Sequence, residues 1–518
     1  MNRLYQLFAA LLYVVLFFLL YPWYQYVLDI DAISYIHVAE RYAKGEYYHA
    51  VNGYWSPLIS WILIPFIKAG LDPVLSAKYI NGLIGLLSLF TCCSLMDKFN
   101  IHQTLKKILP FILTILLLSY AFYELCADLL QLSLLLLYLN LTFSKNFTQY
   151  NYKIALAGLL GALCYFAKAY SFPLFLVHFP LIILVLLKRS NTVNIKRVFL
   201  LKTAVAFITF FIISGPYLAV LTHKYGSFRI NNAGKLNTSW FLSPGISDNR
   251  KMVVEPPFAD ATSHWDEPTY AQEKFIGPFT SGKYFLRQIK LVVSNVIKFS
   301  GMLNAVSVGS FMILCCFIIY LYRRKKDIGA NDWLIMITTL LYPSGYLLIY
   351  IEWRYIWLLP ITILLMMAIL LTYLYEKGYL SKRVFTIIAL FFSGTFLLQP
   401  ANEMQDLRNN NKDVFEMAKA FRQNHIRGNF FLQYNSFPPF GKTVILSYLT
   451  NSKLYGPYEL DYTFEELLRY AKKYNINYYL YFYKLPNEKE MFMQSAYAKA
   501  GIKIYEDLYP GLIVVQFK

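Results

Sequence analysis

The chain has 518 residues, 57% of them hydrophobic and 15% charged, with a formal charge of +19. Its mean hydropathy is +0.41. These values exclude a soluble globular domain and describe a polytopic membrane protein. The basic charge falls largely in short loops between apolar runs, a positive-inside pattern that argues against a nucleic-acid partner.

Taken in order, the first apolar run (5–28) is too long for a signal-peptide core and has no small-residue cleavage site before Asp29. It is expected to be a retained transmembrane helix with a cytoplasmic N-terminus. Residues 28–58, LDIDAISYIHVAERYAKGEYYHAVNGYWSPL, then form a charged and aromatic first outer loop. Asp31, Tyr35, Val38 and Tyr42 recur at helical spacing, Glu40 and Lys44 stand at i, i+4, and Gly45 stands where a helix would stop. The spacing predicts a short interfacial helix with Asp31 at its start. Trp55, Ser56 and Pro57 turn the chain back toward the lipid. Asp31 has two readings at this point: a helix cap, since Asp is a favoured N-cap residue, or an interfacial functional acid.

Residues 58–70 are too short to span. Further apolar runs cover 74–96, 108–123, 129–143, 154–170, 173–187 and 198–221, then, after a polar loop at 223–300 with no spanning stretch, 303–322, 333–351, 355–375 and 384–398. At about 20 residues per crossing these predict about eleven spans. The strongly basic short loops then share one side, so the C-terminus lies opposite the N-terminus. From residue 401 the composition becomes that of a soluble domain, with amphipathic helices alternating with apolar strand runs. A small α/β domain with Rossmann-like layering is expected at 401–518, without a GxGxxG turn and so without a nucleotide. The six cysteines (Cys92, Cys93, Cys126, Cys164, Cys315, Cys316) lie in apolar runs and suggest neither a disulfide framework nor a zinc site.

The topology gathers carboxylates and cations on the outer face: Asp29, Asp31, Glu124, Asp128, the 223–300 loop, Glu352 and Arg354. Here the residues carry a resemblance. DIDAISYIHVA, of the form D-x-D-x-x-S-Y-x-x-x-A, followed by NGYWSPL, resembles the first outer loop of GT-C membrane glycosyltransferases. The similarity is to the bacterial branch related to protein O-mannosyltransferases and aminoarabinose transferases, glycosyltransferase family 39-like. ADLLQLSLLLLYL, GLLGALCYFAKAY with Lys168, and EWRYIWLLP with Arg354 follow in the order this resemblance implies. It covers residues 1–400; the C-terminal segment resembles only in layout the periplasmic domains such proteins carry.

The resemblance implies a bacterial inner-membrane enzyme that moves a sugar, with inversion, from a polyprenyl-phosphate donor to an acceptor hydroxyl of a lipid, glycan or protein at the outer face. A hydroxyl is a poor nucleophile and needs a carboxylate to take its proton. Asp31, which matches the motif, is the expected base, and Asp29 is expected to orient the acceptor or Asp31. The lipid phosphate leaving group needs preplaced cations, for which Arg354 and Lys168 are the candidates, each with a bland reading as an interfacial or snorkelling anchor. Asp128 and Glu124 are candidate active-site acids, Asp128 equally a helix-start acid. No cofactor is required, but His37, His49, His223 and His264 near the two first-loop acids leave a divalent metal open. Tyr35, Tyr42, Tyr47, Tyr48, Tyr54 and Trp55 suit either a sugar-stacking wall or an interfacial aromatic belt. The competing readings are a surface-glycan polymerase or ligase, and a membrane transporter, for which no inverted repeat is found.

Overall fold

The structure is a computed structural model that describes residues 3–123, 127–190, 193–243, 253–270, 275–432, 440–456 and 463–517. Among the described residues, nine helical runs are long and apolar enough to cross a bilayer. Each of the eleven stretches expected to span is mostly helical, but the one at 303–322 is broken at 307–309, and Ala127–Thr142, Asn151–Ala167, Ser310–Arg323 and Lys382–Thr395 have only 16, 17, 14 and 14 residues. One run was not expected. Gly282–Val306, 25 residues long, begins inside the loop that the sequence suggested would hold no span. Lys283, Arg287, Lys290 and Lys298 lower its average hydropathy, yet their spacing of three, four or eight residues keeps them near one helical face. Leu286, Ile289, Val293 and Ile297 remain exposed between them, so the helix is amphipathic at the edge of the bundle.

The centre of the bundle is the run Trp353–Glu376, 89% buried, whose Trp357 stacks on Tyr120 with ring centroids 4.3 Å apart. Without a hydrophobic drive between helices in lipid, close approach depends on small residues. Gly82 and Gly85 admit the rings of Phe17 and Tyr13, and the Tyr13 hydroxyl donates to the Gly82 carbonyl at 3.0 Å. Gly158 lies against the backbone of Ala206, which seats Asn151–Ala167 on Ile195–Tyr225.

The C-terminal region contains a five-stranded sheet: β1 (Asn429–Leu432), β2 (Lys453–Tyr455), β3 (Tyr478–Phe482), β4 (Lys503–Tyr509) and β5 (Leu512–Gln516). The order is β2-β1-β3-β5-β4. β2, β1 and β3 are parallel, with the helices Phe440–Leu449 and Phe464–Lys473 between them in sequence, which is the expected α/β layering. The closing strands form an antiparallel hairpin through Pro510 and Gly511, whose φ of +78° favours glycine.

This region is seated on the membrane bundle. Tyr24 donates to the Met404 carbonyl at 2.7 Å, and Asn411 Nδ2 to the Leu28 carbonyl at 2.7 Å. It also grips the loop segment 253–270: the Leu454 amide donates to the Thr262 carbonyl at 2.7 Å and Val254 bridges to Gly456. The sheet edge therefore supports the loop segment that reaches the site described next.

Candidate active site

The first-loop helix runs Ile30–Lys44 and ends as its spacing predicts. Gly45 adopts φ +84° and its N–H bonds back to Arg41 and Tyr42. Its beginning differs by two residues from the expectation. Asp29, not Asp31, is the N-cap, accepting the Ala32 amide on Oδ1 at 2.9 Å. With Asp29 capping, the bland reading of Asp31 falls away, because its carboxylate points to other partners.

Those partners come from distant parts of the chain. Arg354 Nη2 donates to Asp31 Oδ2 at 2.9 Å, and the Trp265 indole Nε1 donates to Asp31 Oδ1 at 3.0 Å. Arg354 sits in the turn Trp353–Ile356 and meets Glu352 at 2.9 Å through Nε, and Asp29 and Asp128 each at 4.0 Å. Asp128, in the first turn of Ala127–Thr142, is ion-paired with Lys168, the C-cap residue of Asn151–Ala167. The Lys168 ammonium also lies 3.9 Å from the centroid of the Tyr355 ring, itself stacked on Tyr346 at 4.8 Å. Five sequence-predicted residues, Asp29, Asp31, Asp128, Lys168 and Arg354, thus form one cluster. Their side chains are between 4% and 20% exposed, partly shielded but reachable. Glu124 lies outside the described residues.

Four carboxylates (Asp29, Asp31, Asp128, Glu352) against two cations (Lys168, Arg354) give the cluster a formal charge of −2. The surplus of acids raises the question of a metal. Among the described residues no three His, Cys, Asp or Glu side chains converge as ligands. The guanidinium occupies the space between Asp29, Asp31 and Asp128, so the residues as arranged do not fit a metal ion. The four histidines also diverge: His37 bonds Asp266, His49 packs on Phe258, His264 on Phe440, and His223 lies in the last turn of Ile195–Tyr225.

Two contributors were given no role from sequence. Glu352, counted there only among the outer-face charges, stands immediately before the turn Trp353–Ile356 and reaches the Arg354 Nε at 2.9 Å, a contact between near neighbours in EWR. Trp265 carries no local signal, being 234 residues from Asp31. It stacks on Trp240 with centroids 5.8 Å apart and planes 13° apart, and Tyr54 approaches it at 6.1 Å. The aromatic wall is therefore built largely by the long loop. Of the first-loop aromatics, Tyr35 and Trp55 are buried in packing and Tyr47 and Tyr48 face outward.

Trp265 is held by a buried polar clamp. Its carbonyl accepts from Ser34 Oγ at 3.2 Å and Trp55 Nε1 at 3.1 Å. The next residue, Asp266, bonds His37 Nδ1 at 2.7 Å and Arg41 Nη2 at 2.8 Å, and the Arg41 Nε donates to both carboxylate oxygens of Asp260 at 3.1–3.2 Å. Tyr225 donates to Glu267 at 2.5 Å. Burial alone would push the His37 imidazole down, but the Asp266 carboxylate outweighs it and the net direction is upward. Burial would likewise raise Asp266, and His37 with Arg41 bring its carboxyl below the usual carboxylate range.

No protein-family model and no curated protein sequence matches the chain. Solved structures do. ArnT from Cupriavidus metallidurans in the apo state matches over 98% of each chain, with a TM-score of 0.55 and 11% identity. The oligosaccharyltransferase of Archaeoglobus fulgidus, in complex with Zn and sulfate, matches over 92% of this chain and 67% of its own, with a TM-score of 0.53 and 12% identity. AglB from the same organism, in complex with an inhibitory peptide and a dolichol-phosphate, gives a TM-score of 0.53 at 12% identity over 92% of this chain and 68% of its own. The chain has a GT-C-type fold. At these identities the likeness concerns the fold alone.

Proposed function

We propose that the protein is an inverting glycosyltransferase that moves a sugar from a polyprenyl-phosphate donor to an acceptor hydroxyl. The observation that carries this reading is the pairing of Asp31 with Arg354 beside Lys168 and Asp128. It sets a carboxylate able to accept a proton next to cations able to receive a phosphate. The GT-C-type fold supports it, as does the dolichol-phosphate complex of an archaeal neighbour. The positive-inside pattern supports a cytoplasmic N-terminus, with the cluster and the C-terminal domain on the outer face of a bacterial inner membrane.

In this mechanism Arg354 presents a planar fork to the donor phosphate and Lys168 a point charge. Together they stabilise the negative charge that develops as the sugar–phosphate bond breaks. Asp31 takes the hydroxyl proton as the acceptor oxygen attacks the anomeric carbon from the face opposite the leaving phosphate. In the arrangement described, Arg354 occupies Asp31, so a phosphate that recruits the guanidinium frees Asp31 to act as base. Trp265 and Trp240 offer an aromatic face for a sugar ring.

Membranes containing the wild-type chain or Asp31→Asn, expressed equally, test the reading with a panel of radiolabelled polyprenyl-phosphate sugars. One donor is consumed by the wild type, and the substitution costs on the order of a hundredfold or more, as loss of a general base does. Equal consumption by both overturns the assignment of Asp31. Failure of every donor, with acceptors spanning lipid, glycan and protein, overturns the transferase reading.

A further inference from the structure

On the side of the bundle away from the acidic cluster, a groove of ≈ 370 Å³ opens between Ser310–Arg323, Trp353–Glu376 and Lys382–Thr395. Its walls are Met312, Ile313, Cys316, Ile319 and Leu370, with the Phe392 ring alongside. Met312 and Ile319 are each 52% exposed, so the groove opens outward to the surrounding lipid and not into the protein. At one end the lining changes character. Arg323 and Arg324 stand there with the phenol-bearing rings of Tyr320, Tyr373 and Tyr379.

We propose that this groove binds one anionic phospholipid, its acyl chain on the apolar walls and its phosphate at Arg323 and Arg324. Three observations carry the proposal. First, the length matches a single leaflet. Met312 to Arg323 is eleven helical steps, about 16 Å at about 1.5 Å per residue, against about 15 Å for half of a 30 Å hydrocarbon core. Second, the groove is amphipathic in the same sense as a phospholipid, apolar along its length and cationic at the membrane surface. Third, the cations are available. Arg323 is exposed and forms no ion pair with any described residue. Among the described residues Arg324 forms one ion pair, with Asp327 at 3.9 Å and with that carboxylate 68% exposed, a contact that a phosphate readily replaces; Asp332 acts on it only at longer range. Its guanidinium lies 5.1 Å from the Tyr373 ring centroid, which aims it over the groove.

The acids nearby do not oppose this. Asp332 is engaged by the Tyr320 hydroxyl at 3.4 Å, and Asp327 lies on the turn beyond the helix. The neighbouring Lys325 and Lys326 belong to the same basic turn but do not line the groove, which separates a built site from a diffuse positive belt.

The proposal does not depend on the transferase reading and is tested by binding alone. Native mass spectrometry of the full chain in detergent measures dioleoyl-phosphatidylglycerol against dioleoyl-phosphatidylcholine. For wild type we expect one tightly held phosphatidylglycerol and at least tenfold weaker phosphatidylcholine. Arg323→Gln/Arg324→Gln weakens phosphatidylglycerol at least tenfold, while Lys325→Gln/Lys326→Gln, with the same loss of charge, leaves it within twofold. Ile319→Trp, which fills the apolar section on an exposed position and leaves every charge in place, weakens it comparably. Equal affinity for the two lipids, equal losses in the two double variants, or tight binding that survives Ile319→Trp overturns the site.

Discussion

Asp266→Ala tests how the segment 253–270 is held on the helix Ile30–Lys44. Asp266 and Arg41 are 1% and 0% exposed, and the carboxylate joins His37 and Arg41 in one buried network. Removing one member of a buried ion pair costs about 3–5 kcal/mol, because the partner stays desolvated without its counter-charge. Arg41 retains Asp260 through two contacts at 3.1–3.2 Å, which places the expected loss at the lower end, about 3 kcal/mol. At 1.4 kcal/mol per tenfold that is about two orders of magnitude in the equilibrium for opening residues 253–270. Hydrogen exchange on the detergent-solubilised full chain reads it directly. Peptides from 253–270 exchange on the order of a hundredfold faster in the variant, and the membrane helices keep their protection. Unchanged protection in that segment refutes the clamp, and a general loss across the bundle shows that Asp266 supports the whole fold.

Other outcomes follow from the same contacts. Trp265→Phe keeps the ring and removes the N–H that meets Asp31 at 3.0 Å. A hydrogen bond to a charged acceptor is worth about 1.5–3 kcal/mol, so kcat falls about tenfold or more with little change in KM, and an unchanged kcat removes Trp265 from any positioning role. Lys168→Met weakens binding of a polyprenyl phosphate in a titration, and Lys168→Arg restores most of it; equal loss in both means that shape and not charge matters there. The loop clamp depends on pH. His37, facing Asp266, Arg41 and Glu40, titrates above its ordinary value near 6.5, so its contribution is complete below that value and lost as pH rises through the raised one. Asp266, held below its ordinary value near 3.8, contributes above that value and loses its part as pH falls through the lowered one. Relative to the intrinsic, base-catalysed exchange rate, protection of 253–270 therefore falls on the alkaline side of 6.5, and His37→Gln abolishes that fall.

Asp31, Arg354, Lys168 and Asp128 were legible because each lies where an apolar run meets a polar turn, and such charges are rare enough to single out. The cap was misread by two residues, since Asp29 and Asp31 both suit an N-cap and only the backbone turn at Asp29 decides between them. Gly282–Val306 was hidden because hydropathy averages over a helix whose charges lie on one face. Trp265 and the His37–Asp266–Arg41 network could not be read at all. They join positions more than 220 residues apart, and no periodicity carries information about which loop residue crosses which helix.

The charge of the cluster links these parts. A site with two cations inside four carboxylates repels a free phosphate, yet a phosphate that reaches Arg354 competes with Asp31 for the same fork. A carboxylate released from the guanidinium still holds the Trp265 N–H on Oδ1, so it keeps its place while one oxygen becomes available to an incoming hydroxyl. In the proposed mechanism, base and leaving-group site are coupled through a single arginine: the proton acceptor is exposed when the donor phosphate is bound. The C-terminal sheet enters this coupling from a distance. β2 anchors Thr262, Thr262 leads to Trp265 within the clamped segment, and Trp265 fixes Asp31. In the proposed mechanism the C-terminal region thus contributes by holding the loop segment that positions Asp31.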